Sequence, residues 1–380
     1  MAWSDIIGQG HAKSILQRAI HEKRIAHAYC LWGIEGIGKD AIAIEFAKTV
    51  NCHNPVMTEN SVEACGACQS CHHAATLQHQ NIQLVFALPA PKGSETRDDT
   101  PFSKMSDDQI NDIQEQISIK AANPYHRIAL QNANQIRISS IRDVKKNLVY
   151  AANQSGRRVV IISRADEMTN EAANSFLKTL EEPHENITII ITTSRKGSLP
   201  VTILSRCQLV HCEPLSDEDL ALYLSEKFNM QHEEAKLIAA FARGSYSDAL
   251  AYMDENMKAF RDDVVSVLRT ALKKKIFRVE LLKELEKYLK EKDRQKAENF
   301  MILLMLWLRD VNTFTVTGSE SFIVNNDQSD IIRKFSRNFG NKDLMASIQC
   351  LDNAVTQLRR NVMPQLVFIN LFIKLREIFF

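Results

Sequence analysis

The chain has 380 residues, 45% of them hydrophobic and 24% charged, a balance that predicts packed domains and excludes a disordered chain. Lys and Arg total 47 against 46 for Asp and Glu, and the net charge of +1 gives no whole-chain electrostatic reason for unaided binding to nucleic acid or an anionic membrane. The start, MAWSDIIGQG, has no basic segment followed by an apolar run, and the longest apolar stretch, around 300–308, is too short to span a bilayer, so the expectation is a cytoplasmic protein with no membrane partner.

In chain order, AHAYCLW (26–32) predicts a short buried strand, GIEGIGKDAI (33–42) a glycine-rich loop, and DAIAIEFAKTV (40–50) a helix with apolar residues at helical spacing. Strand, loop and helix in that order are the context of a phosphate-binding loop. Cys52, Cys65, Cys68 and Cys71 follow as C-x12-C-x2-C-x2-C. The two-residue gaps let neighbouring thiolates converge on one tetrahedral ion, and Cys52 closes the set, which predicts a structural Zn2+ site with no position left for substrate. Disulfides are the competing reading, disfavoured in a reducing cytoplasm. His72 and His73 are spare ligands that four thiols make unnecessary. Cys30, Cys207, Cys212 and Cys350 are scattered and read as buried apolar side chains.

NIQLVFAL (81–88) predicts another strand, 92–104 a polar loop, and DDQINDIQEQI (107–117) a helix with Ile110, Ile113 and Ile117 on one face. RVVIIS (158–163) and NITIIITT (186–193) are nearly all apolar, as strands buried on both faces of a parallel sheet are. Between them NEAANSFLKTLEE (170–182) predicts a helix stopped by Pro183. From Pro214 on, SDEDLALYLSEKFN and HEEAKLIAAFARG are short amphipathic helices, the first capped by Ser216 with Asp219 three residues on, and after about 260 only helices are predicted, including 294–311 and 364–379. The expected plan has three parts. An α/β domain over 1–213, a parallel sheet with flanking helices, carries the zinc module 52–71 and an insertion at about 87–133. A small helical lid spans 214–262, and an all-α C-terminal domain spans 263–380.

In a working phosphate loop, backbone amides cradle the phosphates, a lysine reaches the terminal ones, and a Ser or Thr hydroxyl ligates magnesium. Gly33, Gly36, Gly38 and Lys39 meet the first two needs. Asp40 stands where the hydroxyl belongs; its carboxylate could in principle hold Mg2+, but it puts a full negative charge beside polyphosphate, which weakens ATP binding without excluding it. At the end of the next buried strand, where an Asp supports magnesium and a Glu activates water, the chain reads VVIISRADEM, so Ser163 and Arg164 occupy those places. Asp166 and Glu167 come later and read as the start and cap of the following helix.

The stretch VVIISRADEM…EAANSFLKTLEEP…LPVTILSRCQLVHCEPL, together with IIGQ, RIAHAYCLWGIEGIGK and the four-cysteine insertion after the loop helix, resembles the bacterial DNA polymerase III clamp-loader subunits of the AAA+ superfamily. The likeness covers roughly 3–83 and 134–250 and is closer to the non-hydrolysing stator than to the ATP-hydrolysing motors. The motor pattern fails at Asp40, Ser163 and Arg164, and again in GSYSDAL, where Ser247 sits at the motors' nucleotide-sensing arginine. The resemblance implies a pentameric ring with gamma or tau and delta subunits that loads a sliding clamp onto primed DNA. It implies that Arg206, in Ser205-Arg206-Cys207, is an arginine finger offered to a neighbour's ATP site, and that residues after about 262 join a helical collar, with Phe300, Leu304, Trp307 and Leu308 as a packing face. By itself Arg206 reads as a solvated arginine at a strand start. Two alternatives stand beside this reading. One is an active AAA+ ATPase of the motor kind. The other is a DNA-binding zinc protein, for which Lys145, Lys146, Arg157 and Arg158 are the compact basic groups. The segment 87–133 lies outside the resemblance, and the sequence gives it no role.

Overall fold

The computed structural model describes residues 2–58, 61–90, 100–150, 156–181, 185–254, 257–274, 277–288, 294–360 and 362–380. Their contacts divide the chain into two compact units, Met1–Tyr223 with Arg243–Asp248 and Leu224–Ala242 with Ala249–Phe380.

The first unit begins with α1 (Gly10–His21), β1 (Ala28–Trp32) and α2 (Lys39–Val50). A small module follows, made of β2 (Val56–Met57), β3 (Val62–Glu63) and α3 (Gln69–Ala75), and then β4 (Ile82–Val85), α4 (Asp107–Ala122) and α5 (Ile138–Tyr150). The unit continues with β5 (Arg158–Ile162), α6 (Asn170–Glu181), β6 (Ile187–Thr193), the single turn α7 (Val201–Leu204) and β7 (Gln208–His211). Five strands pair in the order β4-β5-β6-β1-β7, every pair parallel, while β2 and β3 form a separate antiparallel ribbon. In β5 and β6 every residue from Val159 to Ile162 and from Ile187 to Thr193 is buried, which is why both read as unbroken β-branched runs rather than alternating ones. Ile141, Val144 and Leu148 of α5 and Ala172, Phe176 and Leu180 of α6 join the sheet residues Val160, Ile162, Ile189 and Ile191 in one core.

The strand order sets where a ligand site lies. β1 is the point where the sheet reverses direction of growth, with β6 on one side and β7 on the other, and ligands of open parallel sheets collect at the carboxyl ends of strands at such a switch. The glycine-rich loop leaves β1 there.

Most predicted bounds hold within a residue or two, and the differences have local causes. The helix expected over 107–117 runs to Ala122. A capping box starts it, with Ser106 Oγ accepting from the Gln109 amide and Gln109 Oε1 from the Ser106 amide, and its buried stripe continues past Ile113 and Ile117 to Lys120. The expected strand 81–88 pairs only over Ile82–Val85, and Phe86 and Leu88 turn instead into a small core with Ile113. The cap at Ser216 forms, its Oγ accepting from the Asp219 amide at 3.0 Å. Pro183 as a helix stop, and most of the expected polar loop at 92–104, lie outside the described residues.

After β7 come α8 (Asp217–Phe228), α9 (His232–Ala242) and α10 (Tyr246–Asp254), and then α11 (Met257–Ala271), α12 (Phe277–Leu285), α13 (Arg294–Thr317), α14 (Ser329–Phe339), α15 (Leu344–Arg359) and α16 (Pro364–Phe379). Within the second unit α13 packs against α14 and α15, and α15 against α16. Ring pairs knit the core: Tyr288 to Phe300 at 4.8 Å, Phe300 to Phe368 at 5.3 Å and Trp307 to Phe335 at 5.1 Å between centroids. Lys296–Thr317 has the length and hydropathy of a membrane span, longer than the apolar run visible in sequence, but 61% of its most apolar window is buried inside the protein, as in a core helix. Phe300, Leu304, Trp307 and Leu308 are all 2% exposed or less. An apolar helical face of this kind fits a collar or any helical core alike, and here it lies in the unit's own interior.

Candidate functional site

The loop between β1 and α2 has the backbone of a phosphate cradle. Gly36 and Gly38 have φ of 77° and 95°, values a side chain would strain. A methyl group on Gly36 would stand 2.1 Å from Ser245 Oγ, and one on Gly38 would stand 2.8 Å from the Tyr125 ring. The Gly36 carbonyl accepts from the amides of Tyr246 and Ser247 at 3.1 and 3.3 Å, so the start of α10 is seated on the loop. Lys39 is buried and its ammonium donates to the carbonyls of Gly33 and Ile34. Burial lowers its pKa, against the pull of the Asp40 charge.

Asp40, the residue out of place in the motif, is held on both oxygens. Lys120 Nζ and Ser163 Oγ donate to Oδ2, each at 2.7 Å, and Thr192 Oγ1 donates to Oδ1 at 2.8 Å. Burial opposes its charge, but the Lys120 ammonium and these three donors outweigh burial and hold the carboxyl at about 2. Lys120 is 2% exposed and also donates to the His126 carbonyl at 2.7 Å. A lysine that deeply buried needs a partner of opposite charge, and Asp40 is that partner. The expected magnesium position therefore holds a closed ion pair, with Ser163, the replacement for an acidic residue, as its third member.

The neighbouring residues are equally engaged. Arg164 has a φ of 55°, its amide donates to Thr192 Oγ1 at 3.1 Å, and its guanidinium pairs with Glu167 at 2.6 Å. Asp166 and Glu167 do not cap α6, contrary to the expectation. They lie in a 3-10 turn over Ala165–Glu167, and the α6 cap is Thr169, whose Oγ1 accepts from the Ala172 amide at 3.2 Å. Asp166 accepts from Thr193 Oγ1 at 2.7 Å and from Arg195 Nε at 2.8 Å. Ser247 Oγ donates to the Tyr125 carbonyl at 3.1 Å.

The cysteine cluster assembles as its spacing predicts. The Sγ atoms of Cys52, Cys65, Cys68 and Cys71 all lie within 4.8 Å of one another, with separations of 3.5 Å for Cys52 to Cys65, 4.0 Å for Cys52 to Cys68 and 3.9 Å for Cys65 to Cys71. Sulfurs about 2.3 Å from a tetrahedral ion stand roughly 3.8 Å apart, whereas a disulfide needs about 2.05 Å. The donor set fits a metal ion, and the cluster can hold one. The Cys65 amide donates to Cys52 Sγ at 3.3 Å, a contact that favours thiolate. Burial works against the Cys68 thiolate, yet the amides of Cys71 and His53 and the thiols of Cys71 and Cys65 bring its pKa down to about 6. His72 and His73 are exposed and outside the cluster. The ribbon β2–β3 leads into Cys65, and α3 carries Cys71.

Arg206 lies between α7 and β7 and is partly exposed. Its guanidinium donates to the Thr202 carbonyl at 2.9 Å and to Glu181 Oε1 at 2.8 Å. Of the candidate DNA-binding basic group, Lys146 is exposed and the other three are engaged within the fold. Arg157 donates to Thr188 Oγ1, Arg158 to the Gln80 carbonyl and to Gln83, and Lys145 to Ser175 Oγ, while burial lowers the pKa of Arg157 and Arg158.

Lys120 and Tyr125 are the site residues that sequence reasoning passed over. The signal for Lys120 was present: it continues the apolar positions 110, 113 and 117 at helical spacing, so a cation was being directed into the interior. Tyr125, in the turn after α4, carries no such signal.

The comparisons with known proteins agree with one another. The family model described as DNA polymerase III, delta subunit, matches residues 8–216, and one for the C-terminal part of the delta subunit matches 255–377. The chain is 25% identical to DNA polymerase III subunit delta' of Bacillus subtilis (strain 168) over 370 residues, 97% of this chain and 96% of that one. It is 26% identical to subunit tau of Escherichia coli (strain K12) over 67% of this chain and 32% of tau, and 27% identical to subunit tau of Bacillus subtilis over 70% of this chain and 39% of tau. It thus spans well under half the length of the tau subunits it matches.

Proposed function

The chain belongs to the DNA polymerase III delta-subunit family, and from that premise we propose that it is a delta prime subunit, the stator of a clamp loader. In this reading it works in the cytoplasm as one member of a pentameric AAA+ ring with gamma or tau and delta subunits, which places a sliding clamp on primed DNA. Its neighbours hydrolyse the ATP. The observation that carries the stator reading over the motor one is the state of Asp40: the position that should ligate magnesium is bound by Lys120, Ser163 and Thr192.

Arg206 is the finger presented to the neighbouring ATP site. Its ion pair with Glu181 is partly exposed, a type worth about 0–1 kcal/mol, so the guanidinium can leave Glu181 for a phosphate at little cost. A cation set against the developing charge of phosphoryl transfer is worth on the order of 10³–10⁵ in rate. The cysteine cluster holds Zn2+ in a closed, structural role. The domain limits are those of the three-part plan, and the C-terminal helices form the collar. Leu366, Ile369 and Ile373, which are 59%, 46% and 54% exposed along α16 at helical spacing, supply its outward apolar face.

Two assays test this reading. Arg206→Ala in a reconstituted complex should slow ATP turnover without changing assembly, by up to on the order of 10³-fold at the one site it serves, and an unchanged rate would remove the finger. The isolated chain should show no turnover above a Lys39→Ala control, and turnover that disappears in that control would replace the stator by the motor.

A further inference from the structure

The degenerate loop is in contact with a second segment of the chain at three of its positions. Lys120 of α4 pairs with Asp40 at 2.7 Å, the Tyr125 ring stands against Gly38, and Arg127 pairs with Glu35 at 3.1 Å. The same segment also closes on the surroundings of the loop. Tyr125 Oη accepts from the buried Ile7 amide at 3.0 Å, the Tyr125 carbonyl accepts from Ser247 Oγ at 3.1 Å, and its ring meets Tyr246 edge-on at 4.7 Å between centroids. Gln9 joins the wall containing Ile7 to the loop, its Nε2 donating to the Ile37 carbonyl at 3.4 Å.

We propose that the segment 120–127 is a built-in plug that occupies the nucleotide site and excludes nucleotide from it. The physical argument is one of displacement. A polyphosphate over Gly36–Lys39 needs open space beside the loop, and the Tyr125 ring stands 2.8 Å from where a Cβ on Gly38 would lie. A magnesium ion would need Asp40 to give up an ammonium and two hydroxyls. The segment also supplies its own positive charges, at Lys120 and Arg127, to the acidic residues Asp40 and Glu35, leaving those carboxylates compensated without a cation from solution. Ile7 and Ser247, from the other two walls, are bonded to Tyr125. This gives a role to part of the insertion at 87–133, and it stands whether or not Arg206 serves a neighbouring subunit.

The test is binding of a fluorescent N-methylanthraniloyl ATP, with magnesium, to the full chain. The wild-type chain should show no saturable binding through the millimolar range. Tyr125→Ala, which opens the space over Gly38, should bind at least about tenfold more tightly, and the charge-free pair Asp40→Thr with Lys120→Met should gain a smaller increment. Wild-type binding as tight as that of Tyr125→Ala overturns the proposal, as does folded protein of both variants binding no better than wild type. Should Tyr125→Ala not fold, hydrogen exchange of the wild-type chain in millimolar ATP decides. Protection of 34–40 with 105–127 unchanged means that nucleotide and segment fit together, which also overturns the plug. No change in either segment supports it.

Discussion

In the cysteine module all four ligands come from residues 52–71, and the turns between them bring the sulfurs together. In the phosphate loop the residue that decides the chemistry, Asp40, is answered by Lys120 from 80 residues away, by Ser163 from 123 and by Thr192 from 152. The first site is complete in itself and offers four sulfurs to one ion. The second is complete only in the folded unit, and its partners leave no opening for an ion. A local site passes its chemistry to whatever solution supplies, whereas one closed by the fold has its chemistry settled when the chain folds.

The largest effect should come from the local site. With Zn2+ as the ion, binding free energies of structural sites reach on the order of 10 kcal/mol. Chelation, or Cys68→Ser, should release one equivalent of metal and unfold the module around β2, β3 and α3, read as loss of amide protection over 52–75. The sheet unit should keep its protection, because Val160, Ile162, Ile187, Ile189 and Ile191 are buried in one core with α5 and α6 rather than with the module. Chelation that melts the sheet in the same transition would break the comparison by making the module as dependent on the fold as the loop is.

The next effect belongs to the buried pair. Removing one partner of a buried ion pair costs about 3–5 kcal/mol because the other charge is left without compensation, so Lys120→Ala should lower stability by that order in denaturant unfolding. Replacing both, as Asp40→Thr with Lys120→Met, should cost much less, and the cost of the double variant minus the costs of Asp40→Thr and Lys120→Met alone measures their coupling. The pair also has a pH signature. The folded carboxyl of Asp40 lies at about 2 against an ordinary 3.8, so its contribution, about 2 kcal/mol, is fully present above pH 4 and is lost as pH falls through 2. Asp40→Thr with Lys120→Met should flatten the acid limb in that window.

Legibility followed the same division. The cysteine spacing, the strands at 158–162 and 187–193 and the helices from 217 to 379 were readable because each is fixed by neighbours in sequence: ligand gaps, β-branched runs, or apolar residues at helical spacing. Asp40 was readable as an anomaly, and so was Lys120 on the buried stripe of α4. Their pairing was not, since each is a local departure whose explanation is the other, and periodicity carries no information across 80 residues. The same limit left the face of Phe300, Leu304, Trp307 and Leu308 open between a collar and an ordinary core. A helical apolar face looks alike whether it meets its own chain or another, and here Phe335 and Phe368 cover it from within.

Arg206 with Glu181 marks the other extreme from Asp40, an acid and a base joined where water reaches both. Solvent screens the pair and each side chain retains alternatives, so its loss costs about 0–1 kcal/mol, the smallest effect expected. Glu181→Ala should therefore leave the unfolding midpoint of the chain nearly unchanged. If Glu181 does no more than hold the arginine in the absence of a neighbour, the same substitution should also leave ATP turnover of the assembled complex at the wild-type rate, while Arg206→Ala slows it. A large stability loss in Glu181→Ala would mean that the arginine is part of the fold in the way Lys120 is, and the contrast between a settled site and an available one would then fail at the residue on which the finger depends.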